Sequence, residues 1–143
     1  RWQKNWPKSW QKKVQSLEEN QPNLWLATFV HPQSQALCHW WVFLGEAQNL
    51  DFQKVAEKAP AFHYIWQDAF SIQKCPELWT VSWFKTLHQS CHQDGVLMTY
   101  SVAKAVRQAL CEGGWHWEKI PASTGKKSWL RASRKDHSTK ENT

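Results

Sequence analysis

The stretch that decides the fold reads Gln67-Asp-Ala-Phe-Ser-Ile-Gln-Lys-Cys-Pro-Glu-Leu-Trp-Thr80. It follows the apolar run 61–66, which has the composition of a buried strand, and it contains Pro76 and Glu77, which suit the first turn of a helix. In open α/β sheets, ligands bind outside the carboxyl ends of the strands. Asp68 stands at such a strand end, so it is the first candidate for a site residue.

Strand and helix patterns alternate on both sides of this stretch. Strand patterns cover residues 23–31, 36–44, 61–66, 96–100, 115–120 and 128–132, and helix patterns cover residues 9–20, 51–58, 76–93 and 102–112. The run 36–44 is apolar almost throughout, which predicts a strand covered on both faces, as in a parallel sheet. The order predicts an α/β fold whose sheet is largely parallel with an antiparallel end.

Caps and turns separate these elements. Asp51 and Ser101 are the expected N-terminal caps of two helices. The pair Asp94-Gly95 and the segment 32–35 predict turns. Gly113-Gly114 predicts a helix end in the left-handed conformation.

The 143 residues suit one domain, and no apolar run reaches the roughly 18 to 20 residues of a membrane span. No secretory signal is visible, and the chain begins at Arg1, so we expect a processed, engineered or truncated start. Four cysteines, Cys38, Cys75, Cys91 and Cys111, are irregularly spaced without a Cys-x-x-Cys pair. They predict thiols in a reducing, cytoplasmic setting rather than a disulfide framework.

The formal net charge of +6 is concentrated at the two ends of the chain. Residues 1–13 hold five cations and no acid, and residues 126–143 hold six cations and two acids. Basic ends suit an anionic partner, although a solvated basic tail has the same composition. Both interpretations stay open at this point.

Tryptophan is unusually abundant, with twelve residues. Trp2, Trp6 and Trp10 recur every four residues, so they share one helical face or form an extended aromatic patch. Such a patch packs in a core or an interface, or it stacks on nucleic-acid bases among lysines and arginines.

A second cluster of reactive side chains lies at 88–92. His88 and His92 are four residues apart on the predicted helix, and Cys91 is adjacent. A metal ion can bind such a pair, but the sequence offers no second group of ligands. We therefore expect a solvated helix face and no metal.

Several segments together resemble one known family, and they occur in family order. They are Gly45–Ala47, Gln67–Ser71, Cys75–Thr80, Gly95–Ser101, Ala105–Leu110 and Gly125–Lys127. They resemble the methyltransferase domain of the MnmC family and its stand-alone relatives, S-adenosylmethionine-dependent enzymes that methylate the aminomethyl group on the wobble uridine of tRNA. The resemblance covers roughly residues 36–132 and is most specific from Asp68 to Trp79.

The resemblance implies a class I, Rossmann-like methyltransferase fold with S-adenosylmethionine as cofactor and tRNA as partner. It implies that Gly45, Glu46 and Ala47 contact the adenine of the cofactor, with Glu46 replacing the shorter Asp of the family motif. It places Asp68 and Ala69 beside the methyl group and the target amine. The chemistry agrees, because a carboxylate there can orient the amine and take its proton, which makes Asp68 the catalytic candidate.

The substrate contacts are expected from side-chain chemistry, although the basic residues are equally consistent with a solvated tail. Phe70, Trp79 and Tyr100 are expected to line the pocket for the uracil base. The basic residues expected to contact tRNA phosphates are Lys126, Lys127 and Arg131.

One departure from the family concerns the start of the domain. A class I sheet has a first strand with a Gly-rich loop, and no Gly-x-Gly occurs in these residues. Residues 1–35 fit a connecting helix and hairpin, residues 36–132 the C-terminal part of the domain, and residues 133–143 a disordered basic tail. We therefore expect a truncated domain whose parent protein holds the missing N-terminal segment, and in bifunctional relatives an oxidase domain. The alternative is a non-catalytic relative that binds RNA or is only a structural fragment.

Overall fold

The computed structural model describes residues 18–56, 61–121 and 128–134, with the side chains of residues 18–21 and 56 left aside. The predictions for Trp2, Trp6 and Trp10, for Lys126 and Lys127, and for the terminal tail lie outside these residues. The chain divides into two compact units, Arg1–Leu50 and Asp51–Thr143. Among the described helices, none is long and apolar enough to cross a membrane.

The described part of the first unit is an antiparallel sheet of three strands. Its strands are β1 (Glu18–Gln21), β2 (Leu24–Val30) and β3 (Leu37–Phe43), in the order β1-β2-β3. The predicted strand at 23–31 and the turn at 32–35 are confirmed, and His31 N donates to Ala36 O at 2.8 Å to close the turn. The predicted helix 9–20 is wrong at its end, because Glu18–Gln21 pair with β2.

The interpretation of residues 36–44 as a strand of a parallel sheet is wrong. β3 pairs antiparallel with β2 along its whole length, from Leu24 opposite Phe43 to Val30 opposite Leu37. A short turn joins the two strands, and such a turn can connect antiparallel but not parallel neighbours. Leu37 is 63% exposed, so the apolar run does not mark a strand buried on both faces.

The second unit contains a four-stranded mixed sheet. After helix α1 (Phe52–Ala56), the chain forms β4 (Phe62–Gln67), a 3-10 helix (Pro76–Trp79), α2 (Val81–Ser90), β5 (Cys91–Thr99), α3 (Lys104–Glu112), β6 (Trp115–Pro121) and β7 (Ser128–Arg134). The strand order is β4-β5-β7-β6, with β4 and β5 parallel and the other two pairs antiparallel. The α/β class is confirmed, but only one described pair of strands is parallel.

Side chains from α2, α3 and the sheet form the core of this unit. Phe84, Leu97, Leu110, Trp115 and Leu130 are fully buried. Trp115 also donates its indole N–H to Phe84 O at 2.9 Å, so its polar atom is satisfied inside the core.

Helix α2 begins later than the sequence predicts. Pro76 opens a separate 3-10 turn, and the hydroxyl of Thr80 then caps α2 by accepting from Trp83 N at 3.2 Å. The predicted Asp51 cap of α1 is confirmed, because its carboxylate accepts from Gln53 N at 3.1 Å. The predicted Ser101 cap is wrong, since α3 begins at Lys104 after Ala103, which supplies no side-chain cap.

The segment 91–95 differs most from its prediction. Helix α2 ends at Ser90, and β5 runs without interruption through Asp94-Gly95, so the predicted turn is wrong. The register passes from Phe62 opposite Cys91 to Tyr64 opposite Val96, so β5 contains extra residues at this irregularity. At the end of α3, Gly114 has φ +95°, which confirms the left-handed helix end.

Candidate active site

Asp68 lies at the carboxyl edge of the only parallel strand pair in the described sheet. Gln67 and Thr99 are paired across β4 and β5 and are the last residues of these strands. Asp68 and Tyr100 therefore leave the sheet side by side. This is the edge at which ligands of α/β sheets bind.

Gln67 anchors the chain immediately before Asp68. Its side chain is buried, donates from Nε2 to Leu78 O at 2.8 Å and accepts from the indole N–H of Trp83 at 3.2 Å. Burial of an amide is favourable only when its polar atoms are bonded, and both ends of this one are. Gln67 is not among the site residues expected from the sequence, although a Gln on the same strand face as Ile65 signals a buried polar group.

Two aromatic side chains bind the backbone that follows Asp68. Tyr100 donates its hydroxyl to Ala69 O at 2.8 Å, and Trp79 donates its indole N–H to Phe70 O at 2.8 Å. Their rings meet edge to face, with centroids 6.1 Å apart at 85°. Trp79 is buried, whereas Tyr100 is 39% exposed.

The residues between these anchors face solvent. The side chain of Asp68 is exposed, and Phe70 is 74% exposed. The structure thus brings five of the predicted site residues together, namely Asp68, Ala69, Phe70, Trp79 and Tyr100.

The segment behind this loop carries a thiol and a carboxylate in contact. Cys75 Sγ donates to Glu77 Oε1 at 2.9 Å. This bond, with a backbone hydrogen bond of Glu77 itself, lowers the pKa of the Glu77 carboxyl. Glu77 is therefore an anion in the first turn of the 3-10 helix, where a negative charge is favoured.

The candidate adenine contacts lie in the first unit. Gly45 and Glu46 follow β3 and are exposed, and Ala47 opens the 3-10 turn Ala47–Asn49. A side chain at position 45 would meet the ring of Phe43 at 3.0 Å.

Among the described residues, Arg131 is the one candidate for tRNA contact. Arg131 lies on β7 and donates to Glu118 Oε1 at 2.9 Å.

The prediction that His88 and His92 share a helix face is wrong, because His92 lies on β5 and stacks on His63 with centroids 4.2 Å apart. The described ranges contain no group of three or more His, Cys, Asp and Glu residues that could hold a metal ion. The four cysteines carry thiols rather than disulfides, and among them only Cys91 is buried.

A family model described as S-adenosyl-L-methionine-dependent methyltransferase matches residues 8–135. Two relatives are bifunctional proteins named MnmC, of tRNA 5-methylaminomethyl-2-thiouridine biosynthesis. The protein from Azoarcus sp. (strain BH72) is 41% identical over 90 residues, which are 63% of this chain and 14% of the relative. The protein from Paracidovorax citrulli (strain AAC00-1) is 34% identical over 91 residues, 64% of this chain and 14% of the relative.

A solved structure with a related name also matches this chain. The crystal structure of MNMC2 from Aquifex aeolicus matches with a TM-score of 0.54 and 28% sequence identity, over 66% of this chain and 30% of that chain. The chain thus spans about one seventh of the length of the bifunctional relatives and less than a third of the solved neighbour.

Proposed function

The chain belongs to the family of S-adenosyl-L-methionine-dependent methyltransferases, and we propose that it acts in transferring a methyl group from S-adenosylmethionine to the aminomethyl group of the wobble uridine of tRNA. The names of the relatives, which refer to tRNA 5-methylaminomethyl-2-thiouridine biosynthesis, support this substrate. The single observation that supports it most is the exposed Asp68 carboxylate on a loop whose backbone is bound on both sides.

The proposed chemistry assigns one task to each side chain of the loop. S-adenosylmethionine, when bound, supplies an electrophilic methyl group on a positively charged sulfur. The target amine must be unprotonated to attack it, and the Asp68 carboxylate can orient this amine and accept the proton that it loses. Phe70 offers an exposed apolar ring on which the flat uracil can lie.

The residues present fit the charged part of the cofactor. Asp68 is an exposed carboxylate, and a carboxylate favours a cationic ligand beside it. By the family resemblance, Gly45, Glu46 and Ala47 would contact its adenine, and Asp68 and Ala69 would lie near its methyl group.

The tRNA contacts are proposed from charge. Arg131 pairs with Glu118 in an exposed position, and such a pair contributes little to stability, so a phosphate can replace the carboxylate at small cost. Lys126 and Lys127, which precede β7 in the sequence, are the other two residues that we propose for phosphate contact. Binding of tRNA should therefore weaken steeply as salt is added.

The proposal is tested by titrating the full chain with S-adenosylmethionine in a calorimeter and by measuring methyl transfer to tRNA that carries the aminomethyl group. We expect Asp68→Asn to lower the transfer rate about 100-fold or more, the contribution of a positioned general base, while the affinity for the cofactor is kept. Asp94→Asn is the matched control, because Asp94 is an exposed Asp in the amino-terminal half of the neighbouring strand β5.

Two results would contradict the proposal. Full transfer activity in Asp68→Asn would exclude Asp68 as the base. Absence of binding heat at high cofactor concentration would exclude catalysis by this chain alone.

The second outcome would favour the alternative, a non-catalytic relative. The observation behind this alternative is the absence of a Gly-x-Gly loop from the 143 residues, since class I enzymes use that loop to hold the cofactor. Salt-dependent tRNA binding without cofactor binding would then identify an RNA-binding module.

A further inference from the structure

Three side chains, one from the 3-10 helix, one from α2 and one directly after β5, meet at the four residues Gln67–Phe70. The Gln67 amide is fixed inside the unit by Leu78 and Trp83. The carbonyls of Ala69 and Phe70 each accept one hydrogen bond of 2.8 Å, from Tyr100 and from Trp79. We refer to the segment Asp68–Phe70 as the acid loop.

The acid loop has no regular secondary structure, so its conformation depends on these bonds. A bond to a carbonyl fixes the peptide plane that follows it. The bonds at Ala69 and Phe70 therefore fix the chain after Asp68, and buried Gln67 fixes it before. Asp68 lies between two anchors while its carboxylate stays in solvent.

We propose that Tyr100 is a positioning residue, which holds the acid loop so that the Asp68 carboxylate points to the reacting amine. This inference rests on the proposed function and changes the role of Tyr100. Its hydroxyl serves the backbone of the loop, so the phenol contributes more than a wall of the substrate pocket. A catalytic group displaced by about 1 Å can lose about 100-fold in rate, so such a bond has a large effect on turnover.

Tyr100 separates this role from simple folding better than its partners do. Trp79 is buried and also contacts Phe84, so its replacement disturbs the core. Tyr100 is partly exposed, and Tyr100→Phe removes only the hydroxyl. The chain has two tyrosines, and the other, Tyr64, is 72% exposed on β4. Tyr64→Phe is therefore a control with the same chemical change.

The experiment measures the two Tyr→Phe variants and the unmodified chain in three ways. Backbone ¹⁵N relaxation reports the order of the Asp68, Ala69 and Phe70 amides, thermal unfolding reports Tm, and a transfer assay with S-adenosylmethionine and aminomethyl-uridine tRNA reports kcat and KM. For Tyr100→Phe we expect the order parameters of the loop to fall from about 0.85 toward 0.6. We expect kcat to fall about tenfold or more while KM for the cofactor is unchanged. The shift in Tm should be no larger than the shift that Tyr64→Phe causes.

Each outcome decides between the roles. Unchanged order parameters in Tyr100→Phe overturn the inference, whether or not the chain turns over. A looser loop with unchanged kcat overturns the positioning role as well. A chain that transfers no methyl group contradicts only the proposed function. The relaxation data do not depend on turnover, so they still show whether the Tyr100 hydroxyl orders the loop.

Discussion

His88 is a half-buried histidine that packs against the core. Its ring meets Trp115 edge to face, with centroids 5.3 Å apart. Burial, and then the positive charge of Arg134, lower the pKa of His88, and a backbone hydrogen bond at Gly114 opposes them more weakly. Burial dominates because a charged imidazole loses its hydration beside the indole.

The lowered pKa of His88 gives stability a pH dependence of definite sign. The unfolded chain binds a proton at His88 at higher pH than the folded chain does, so stability should fall as pH drops below about 6.5. The stability that neutral His88 contributes should be complete above that value. The loss of stability should level off once the folded histidine is also protonated. Urea unfolding between neutral pH and pH 5 measures the free energy of unfolding for the unmodified chain and for His88→Gln.

We expect the variant to show a smaller loss of stability over this range. His116→Gln is the control for the substitution itself, because it makes the same His→Gln change at an exposed position on β6. Parallel pH profiles for the unmodified chain and His88→Gln would contradict the assignment.

The acid loop and the side chains that bind it show what a sequence can and cannot reveal. The position of Asp68 can be predicted from the sequence, because an acid directly after an apolar strand pattern marks the carboxyl edge of a sheet. The hydrogen bonds that Gln67, Trp79 and Tyr100 donate cannot be predicted from the sequence, because their acceptors are carbonyls 9 to 31 positions away. The bond from Tyr100 to Ala69 forms only once β4 and β5 are adjacent, and the other two form only once the chain folds back after β4 into the 3-10 helix.

At the scale of elements, Gly95 determines how β5 fits against β4. A methyl group at position 95 would lie 2.5 Å from Cys91 Sγ and 2.7 Å from Phe62 O. The second of these atoms is backbone of the neighbouring strand, so it cannot rotate away. We expect Gly95→Ala to lower the free energy of unfolding by about 1–3 kcal/mol, the usual cost of overpacking, as measured by urea unfolding.

Gly45→Ala is the matched control for this substitution. Its nearest contact, at 3.0 Å, is the ring of Phe43, a side chain that can shift. The control should cost less than Gly95→Ala, and an equal cost at both positions would show that chain flexibility rather than packing explains the loss.

The same segment explains why the elements were only partly predictable. An Asp-Gly pair favours a backbone that departs from a regular strand, and this is equally true of a turn and of an irregularity inside a strand. The neighbouring strand decides whether a turn or a strand irregularity forms. The position of that strand cannot be inferred from the local sequence. The run 36–44 failed for a related reason, because its apolar composition is compatible with either strand direction.

At the scale of the whole molecule, the two edges of the mixed sheet differ in chemistry. In the described residues, β4 pairs only with β5, and β6 pairs only with β7, so each leaves one edge open. β6 carries Glu118, Lys119 and Pro121, which discourage pairing with another chain. β4 reads Phe-His-Tyr-Ile-Trp-Gln, without Lys, Glu or Pro, and Tyr64 and Trp66 are 72% and 67% exposed.

An open strand edge without charges is a template for pairing with a second strand, so we expect the isolated chain to self-associate through β4 as its concentration rises. Tyr64→Lys places a charge on this edge and should shift the association to several-fold higher concentration, as measured by sedimentation velocity over a concentration series. His116→Lys adds the same charge to the exposed surface of β6, and it should leave the association unchanged. Equal effects of both variants would mean that net charge, rather than the β4 edge, controls association. A chain that stays monomeric at every concentration would show that the exposed aromatic side chains do not bring β4 into contact with a second molecule.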